Sequence, residues 1–496
     1  MQIQKSADSS HNCQLSTALF LRALAAIYAI AFLSLWTQVS GLIGHNGILP
    51  AHYYLEVARR QLGAEAFWLL PTLGWLNASD AFWQGVCICG ALLGLLGLAG
   101  LGSAATYFLM WAFYLSLVIA GRDFMGFQWD ALLLEAGFLA IFLSSLRLLP
   151  KLGLCPSPSG ICLWLGRWLL FRLMFSSGVV KLVSGDPTWL DLSALNYHYE
   201  TQPLPNALSW FMHQLPRSFQ RSSVAAMFVV ELLLPFFVFG PRRLRLVAWV
   251  GFVMLQVLIL ITGNYAFFNL LTLALCVLLL DDSILSWLDF SRATRNRGEV
   301  VGGNRWPAWI LAPVAVALSL SSMVALTDTL RWQVNWPSPV ARVVQWLGPF
   351  NITNRYGLFA VMTTERPEIV LEGSLDGEHW QAYEFAYKPG DLARRPPFVA
   401  PHQPRLDWQM WFAALGQYQD NPWFGSLCKR LLQGKPEVLQ LLAGNPFPDK
   451  PPRYVRGVLY DYHFTDFTKK RSSGRWWRRE PRGLYSPVMS LPENSR

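Results

Sequence analysis

The sequence predicts a polytopic α-helical membrane domain followed by an extramembrane α+β domain with a β-sandwich-like sheet. The chain of 496 residues is 53% hydrophobic but only 15% charged, whereas an average soluble domain carries about 25% charged residues. The apolar excess lies almost wholly before residue 330, and shorter alternating and helical patterns follow it. We therefore assign residues 1–328 to a multi-span transmembrane domain and residues 329–496 to a soluble C-terminal domain.

About nine apolar stretches are candidates for membrane spans, since a helix needs about 20 apolar residues to cross the hydrocarbon core. We read the first stretch as an uncleaved anchor, because no small-residue cleavage site follows it. The stretches lie near residues 16–39, 82–101, 103–120, 128–149, 161–183, 222–240, 245–263, 265–282 and 307–328.

Lysine and arginine residues in short loops set the orientation of a membrane protein, because they stay on the cytoplasmic side. With nine spans counted, the last span delivers residues 329–496 to the lumenal or periplasmic side, together with loops 40–81 and 184–221. The basic residues that this count places on the cytoplasmic side are Lys151, Arg242, Arg243, Arg245, Arg292, Arg295, Arg297 and Arg305.

Several charged residues fall inside or at the edge of the predicted spans, where an unpaired charge is costly. Pairing between helices and snorkelling at helix ends account for them. The alternative is a polar cavity with its own chemistry. These residues are Asp130, Glu135, Arg167, Arg172, Lys181 and Glu231.

The composition argues against several classes of function. The net charge of +10 does not indicate nucleic acid, because acidic residues are mixed among the basic ones. We assign the one dense basic run, Lys469–Glu480, to lipid headgroups or to solvent. The seven cysteines form neither a disulfide framework nor a zinc pattern, and we interpret His45 and His52 as parts of a structural loop. We expect no metal and no cofactor.

The C-terminal domain begins with a strand pattern over residues 350–390. The segments RYGLFAVMTT and PEIVLEGSLDGEHWQAYEFAY alternate apolar and polar residues and are rich in β-branched and aromatic side chains. The turn SLDGEHW resembles the turns of discoidin-type β-sandwiches. The segment Tyr454–Phe464 also follows a strand period.

A helical period follows in APHQPRLDWQMWFAAL (Ala400–Leu415), after a proline-rich lead-in. We expect Asp407 to cap this helix or to favour its dipole. Trp408 and Trp411 lie on one stripe, which faces either the domain core or a binding partner. The segments WFGSLCKRLLQ and KPEVLQLLAG predict two more short helices.

Long motifs of the chain resemble the lipase maturation factor family. The resemblance covers about residues 15–490. It is carried by NRYGLFAVMTTERPEIVLEGSLDG, RRPPFVAPHQPRLDWQMWFAAL and NPFPDKPPRYVRGVLYDYHFT in the C-terminal domain, and by GRDFMGFQWDALLLEAGFLAIFL and SGVVKLVSGDPTWLDLSALNYHYETQPLPN in the membrane domain.

The resemblance implies a chaperone-like folding factor of the endoplasmic reticulum membrane that helps secreted dimeric lipases, such as lipoprotein lipase, to fold and assemble. It implies a client-binding C-terminal domain and no catalytic residues. The family also has bacterial members, for which the membrane is the inner membrane, and the final residues SLPENSR are not an endoplasmic reticulum retention signal. The expected partners are an exported client protein and the lipid bilayer.

For a folding factor of this kind we expect a client-binding surface that exposes aromatic and arginine side chains, the usual anchors of protein interfaces. Such a protein needs no active site, because preferential binding alone shifts a folding equilibrium. The candidate residues are Arg394, Arg395, His402, Arg405, Trp408 and Trp411.

The alternative hypothesis is a membrane enzyme. The segment SGVVKLVSGDPTW is similar to a segment of vitamin K-dependent carboxylases, in which a lysine acts as a base. By that similarity Lys181 is the catalytic candidate. His198 and Glu200 of the following loop would complete an acid–base set at the membrane surface.

Overall fold

The computed structural model describes residues 13–148, 158–285 and 306–492. The predicted cytoplasmic residues Lys151, Arg292, Arg295, Arg297 and Arg305 lie outside these ranges. In the described residues, the first part of the chain is a helical bundle and the last part is a four-stranded sheet with short helices.

Long apolar helices form the bundle, and short helices lie in the loops between them. In chain order they are α1 (Gln14–Trp36), α2 (Val39–Ile43), α3 (Ala51–Leu62), α4 (Ala66–Leu69), α5 (Asp80–Leu96), α6 (Ala104–Gly121), α7 (Gln128–Leu143), α8 (Gly160–Val183), α9 (Pro187–Leu190), α10 (Leu195–Thr201), α11 (Ala207–His213), α12 (Arg217–Phe228), α13 (Leu234–Phe237), α14 (Arg242–Thr262), α15 (Phe268–Cys276), α16 (Asp282–Leu285) and α17 (Ala308–Thr329).

Seven helical segments of the described chain are long and apolar enough to cross a membrane, and they coincide with seven of the predicted spans. The remaining two predicted spans are shorter than expected. Helix α7 has 16 residues, which at 1.5 Å per residue cover about 24 Å of a hydrocarbon core about 30 Å thick. The other is the apolar helix Phe268–Leu279. The polytopic membrane fold is confirmed.

Close packing of α1 on α5 depends on small residues. Gly90 lies against the ring of Phe32, and Gly94 lies against the backbone of Ala25. A Cβ atom at either glycine would overlap its neighbour. Small residues let membrane helices approach until their backbones pack together, so these glycines explain the tight contact.

The bundle has two opposite faces, because its helices alternate in direction. One face holds the start of α1, where the backbone N–H groups of Gln14 and Leu15 donate to the Asp282 carboxylate at 2.9 Å. The other face holds the loops 37–79, 122–127, 184–216 and 263–267. Each of these loops is hydrogen-bonded to the C-terminal part. The pairs are Gln38 with Gln403, Phe124 with Arg405, Glu200 with Phe464, and Asn264 with Val399.

The C-terminal part contains one antiparallel sheet with the strand order β2-β1-β3-β4. Its elements are α18 (Ser338–Leu347), β1 (Pro367–Ser374), β2 (Gln381–Tyr383), α19 (Arg405–Ala414), α20 (Pro422–Leu432), α21 (Pro436–Leu439), β3 (Tyr454–Phe464), α22 (Phe467–Ser473) and β4 (Trp477–Leu484).

The predicted strand in RYGLFAVMTT is wrong. None of residues 355–364 is in a strand, and residues 358–361 form a turn and bends. Gly357 and Phe359 have φ values of 149° and 55°, which are incompatible with a regular pleated strand. The other predicted strands and the three predicted helices are present. Among the described residues there is a single sheet, and α19 and α20 pack on it where a sandwich would place a second sheet.

The bundle and the C-terminal part share one hydrophobic core. The Trp408 ring of α19 meets Trp129 of α7 edge-on, with ring centroids 4.6 Å apart, and lies 5.8 Å from the Phe127 ring. The proposed boundary at residues 328 and 329 therefore separates two stretches of sequence whose side chains pack together.

Candidate functional site

Arg405 joins the C-terminal part to the bundle through a buried ion pair. Its Nη1 and Nη2 atoms donate to the two carboxylate oxygens of Asp130, each at 2.9 Å. Nη1 also donates to the Phe124 carbonyl at 2.7 Å, and the Tyr114 hydroxyl donates to Asp130. The side chains of Arg405 and Asp130 are 1% and 0% exposed. Bidentate pairs of this kind are strong and directional, so this contact locks α19 onto α7.

A second buried cluster surrounds Glu135 of α7. Arg172 of α8 pairs with its carboxylate. The C-terminal part adds the Tyr356 hydroxyl, which donates at 2.6 Å, and the Asn354 backbone N–H, which donates at 3.0 Å. Arg172 Nη1 in turn donates to the Asn354 carbonyl at 3.2 Å. The segment that was predicted to be a strand thus completes the polar cluster of two membrane helices.

A third buried pair lies within the bundle. Lys181 Nζ donates to Glu231 at 2.7 Å and to the Ser177 carbonyl at 2.8 Å. The Trp189 ring lies 5.4 Å from the ammonium. The charge of Lys181 is therefore balanced by one carboxylate. Arg167 differs, because its Nε donates to the Leu278 carbonyl at 3.1 Å.

A fourth cluster ties β3 to the loop after α8. The Glu200 carboxylate accepts from the Phe464 N–H at 2.6 Å and lies 3.2 Å from His463 Nδ1. Burial acts against its charge, but the hydrogen bond from His463, the nearby His213 and the hydrogen bond from Phe464 together lower the pKa of Glu200. The hydrogen bond with Glu200 also raises the pKa of His463. Arg366 donates to the carbonyls of Glu200 and Gln202 at 2.6 and 2.5 Å.

The acid–base set of the enzyme hypothesis is not assembled. Lys181 pairs with Glu231 and Glu200 with His463, while His198 Nε2 lies 3.1 Å from the Tyr265 hydroxyl. Across the described ranges, no hydrogen bond or ion pair joins Lys181, His198 and Glu200. Burial, with the nearby Lys181 charge, lowers the pKa of His198 to about 4. A general base works best with a pKa near the working pH, so this histidine is poorly matched to that role.

Replacing His198 by glutamine is expected to remove a pH dependence of stability. The pKa of His198 rises from about 4 in the folded protein to its ordinary 6.5 on unfolding. Stability is therefore complete above pH 6.5 and falls as the pH drops towards 4. The loss at pH 5 is about 2 kcal/mol.

The measurement is thermal unfolding in detergent at neutral pH and at about pH 5. Glutamine can still bond the Tyr265 hydroxyl, so the variant is expected to match the wild type at neutral pH and to lose less stability in acid. Equal losses for the two proteins would contradict this account of His198.

The two tryptophans of α19 face the core. Trp408 and Trp411 are 3% and 5% exposed, and Trp411 Nε1 donates to the Thr201 carbonyl at 2.9 Å. The expectation that they expose a client-binding surface is wrong, and so is that expectation for the buried Arg405. The physical reason is that the bundle covers the stripe that the isolated domain would expose.

Asp407 does not cap α19. Its carboxylate accepts from the N–H groups of Tyr387 and Lys388 at 2.9 and 2.8 Å, and burial raises its pKa to about 6. This aspartate orders the turn after β2. The capping alternative was wrong because residues 387–388 reach this carboxylate from another part of the chain, whereas the place of Asp407 in the first turn of α19 agrees with the dipole alternative.

Three other predicted client-binding residues lie near the surface. Arg394 is half-buried and donates to the Phe385 carbonyl at 2.5 Å. His402 is half-buried, with its Nδ1 atom 2.8 Å from the Ser34 hydroxyl. Arg395 is exposed. A role in client binding stays a prediction for these three residues.

The sequence interpretation missed an exposed apolar cluster at the end of β4. Leu484 and Val488 are 60% and 48% exposed, and the rings of Tyr418 and Tyr485 lie 6.3 Å apart. We call Tyr418, Leu484, Tyr485 and Val488 the β4-end cluster. The signal in the sequence was a basic strand that ends in apolar residues, and no helix or extended strand follows it in the described residues up to 492.

Metal-ligating side chains do not converge on a metal site. In the parts of the chain that the structure describes, no group of three or more His, Cys, Asp or Glu side chains could hold a metal ion. The cysteines described are free. His45 and His52 stack with ring centroids 4.7 Å apart, and no third ligand joins them within the described ranges.

Comparison with known proteins identifies similar sequences over nearly the whole chain. The family model described as lipase maturation factor transmembrane domain matches residues 15–287, and the lipase maturation factor C-terminal domain matches residues 352–487. Lipase maturation factor 2 of Homo sapiens is 40% identical over 96% of this chain and 83% of its own length. Lipase maturation factor 1 of Bos taurus is 37% identical over 96% of this chain and 89% of its own. No solved structure matches the chain.

Proposed function

Because the chain belongs to the lipase maturation factor family, we propose that it is an integral membrane factor for the folding, assembly or maturation of an exported lipase. The observation that carries this proposal is the match along nearly the whole chain to relatives named for that activity. The carboxylase-like alternative gains no support, since both matching models and the relatives are maturation factors.

We further propose that the C-terminal part acts on the lumenal or periplasmic side. It packs on the loops of one face of the bundle. Arg242 lies on the opposite face, paired with Asp281, next to Arg243 in the sequence. Basic turns favour the cytoplasmic side, and secreted lipases fold on the other. The membrane is that of the endoplasmic reticulum in a eukaryote and the inner membrane in a bacterium.

The β4-end cluster is the client contact that we propose. Within the described part of the chain, strand β4 pairs with β3 alone, and it is exposed after Trp477. The cluster combines the exposed side chains of Leu484 and Val488 with the half-buried rings of Tyr418 and Tyr485, and tyrosine is a common anchor of protein interfaces. Arg395, and with it Arg394 and His402, remain candidates for polar contacts. A partly folded lipase exposes apolar surface, and binding it shifts the client away from aggregation without any active site.

The buried clusters give this surface a fixed position. Arg405–Asp130 and the Glu135 cluster join the C-terminal part to the bundle by directional bonds. The proposed client surface is therefore held at a constant height above the bilayer. A client bound there would stay at the membrane until it is assembled.

Replacing Leu484 and Val488 by serine is expected to lower the activity of a secreted lipase in cells that lack their own maturation factors. The expected loss is about five- to tenfold, or about 1–1.4 kcal/mol of binding free energy, because a client would no longer bury these two aliphatic side chains. The protein itself should accumulate normally, since both side chains are exposed. The readout is lipase activity in the medium divided by lipase protein.

The matched control replaces Val361 and Leu375 by serine, since they are 65% and 49% exposed and lie elsewhere on the same part. Equal lipase activity with both double variants would exclude the β4-end cluster as the client contact. A wild-type chain that fails to restore lipase activity, while it accumulates folded, would contradict the maturation function itself.

A further inference from the structure

A cavity lies between the first loop of the bundle and α20 of the C-terminal part. Its volume is about 400 Å³, within the range of about 300–1,000 Å³ that is usual for ligand sites. Residues from both parts of the chain line it: His45, Asn46, Ile48, Pro50, His52, Tyr53, Ser426, Lys429 and Arg430. Neither part forms this cavity alone.

Among the described residues, neither Lys429 nor Arg430 forms an ion pair. Lys429 is exposed, and across the described ranges its ammonium has no hydrogen-bond or ion-pair partner. Arg430 donates its Nε to the Gly47 carbonyl at 2.9 Å and its Nη1 to Gln433 at 3.1 Å, which leaves Nη2 for a ligand. The imidazoles of His45 and His52 present an N–H donor in either protonation state.

Two carboxylates lie next to the cavity, and one of them, Glu437, interacts with the charge of Arg430. Asp80 accepts the backbone N–H of His45 at 2.7 Å. Glu437 accepts from the Asn46 amide at 3.0 Å. Within the described part of the chain, no carboxylate lines the cavity. The site therefore concentrates donors and positive charge around an open volume, which is the arrangement that binds an anion.

The rest of the lining sets the class of anion. Ile48, Pro50 and the ring of Tyr53 add apolar surface to the lining that also contains Lys429 and Arg430. The volume exceeds that of one phosphate group, and this apolar surface can cover a small organic substituent. A phosphate ester meets both requirements, because its oxygens take the cationic donors while its organic part lies against the apolar surface.

We propose that this cavity binds a phosphate ester, either the headgroup of a phospholipid or a soluble ester of the same chemistry. Lys429, Arg430 and the paired histidines hold the phosphate, and Ser426 adds a hydroxyl. An occupied cavity would connect the first loop to α20. This site is independent of the proposed function in lipase maturation, since it rests on the cavity alone.

The test measures binding to the full-length protein purified in detergent and stripped of lipid. The soluble probes are radiolabelled glycerol 3-phosphate and inorganic phosphate, measured by equilibrium dialysis. The lipid probe is phosphatidic acid in phosphatidylcholine nanodiscs, detected by native mass spectrometry. The variant replaces His52 and Lys429 by glutamine, because neither side chain makes a hydrogen bond within the described residues. The control replaces the exposed Lys450 and Arg453 by glutamine and removes at least as much positive charge as the variant.

The wild type and the control are expected to bind at least one probe saturably, and the His52 and Lys429 variant at least about tenfold more weakly, as expected when charge-assisted hydrogen bonds are lost. Binding of glycerol 3-phosphate identifies a soluble ester as sufficient. Binding of phosphatidic acid alone identifies a lipid headgroup. No binding to the wild type, or equal weakening by the control, would overturn the proposal.

Discussion

Replacing Arg405 by methionine is expected to prevent the accumulation of folded protein. Methionine has an apolar side chain of similar length, but the substitution leaves the Asp130 carboxylate buried without its cation. Breaking one side of a buried ion pair costs about 3–5 kcal/mol, and the stability of a typical protein is only about 5–15 kcal/mol. The measurements are the yield of monodisperse protein in detergent and its thermal unfolding midpoint.

Two further variants separate charge from packing. Arg395 is exposed, so Arg395→Met is the matched control and is expected to behave as the wild type. Arg405→Met combined with Asp130→Asn removes both charges and is expected to recover most of the lost stability, because the uncompensated carboxylate is then absent. If Arg405→Met unfolds no earlier than Arg395→Met, the ion pair does not hold the two parts together.

Replacing both Trp408 and Trp411 by alanine is expected to cause misfolding rather than a selective loss of client binding. Each substitution of a buried tryptophan by alanine costs about 3–5 kcal/mol. Trp408 would lose its contact with Trp129, and Trp411 would lose its hydrogen bond to Thr201. Both contacts cross from the C-terminal part to the bundle, so the loss falls on the interface between them.

A control on the same helix is Phe412→Ala. Its side chain is 45% exposed, so the expected change is within about 1 kcal/mol. Thermal unfolding and the lipase assay are measured together for both variants. If the double tryptophan variant accumulates as folded protein and fails only in the lipase assay, then these side chains contact the client and the burial argument is wrong.

Local patterns predicted the elements that follow one period for most of their length. Tyr454–Phe464 alternates apolar and polar residues and forms β3 with those bounds. The helix within Ala400–Leu415 also forms. The predicted strand over residues 355–364 failed, because Tyr356 and the preceding Asn354 are hydrogen-bonded to Glu135 of α7. A contact with a distant helix outweighed a weak local preference for strand.

The candidate site was less predictable than the elements. The charged residues of the spans were evident in the sequence, since charge in an apolar run is conspicuous. Their partners were not, because Arg405 and Asp130 are 275 residues apart in the chain. The β4-end cluster and the cavity around Lys429 depend on which surfaces stay uncovered after folding, and no local period records that.

The sequence alone was sufficient for the class of protein and for the family, because apolar runs and long motifs are properties of the chain itself. It could not decide which side of α19 is buried. The stripe of Trp408 and Trp411 is equally suited to a core and to an interface. Only the packing of α19 on the bundle places these two side chains in the core, since the free energy of burying an apolar side chain depends on which surface covers it.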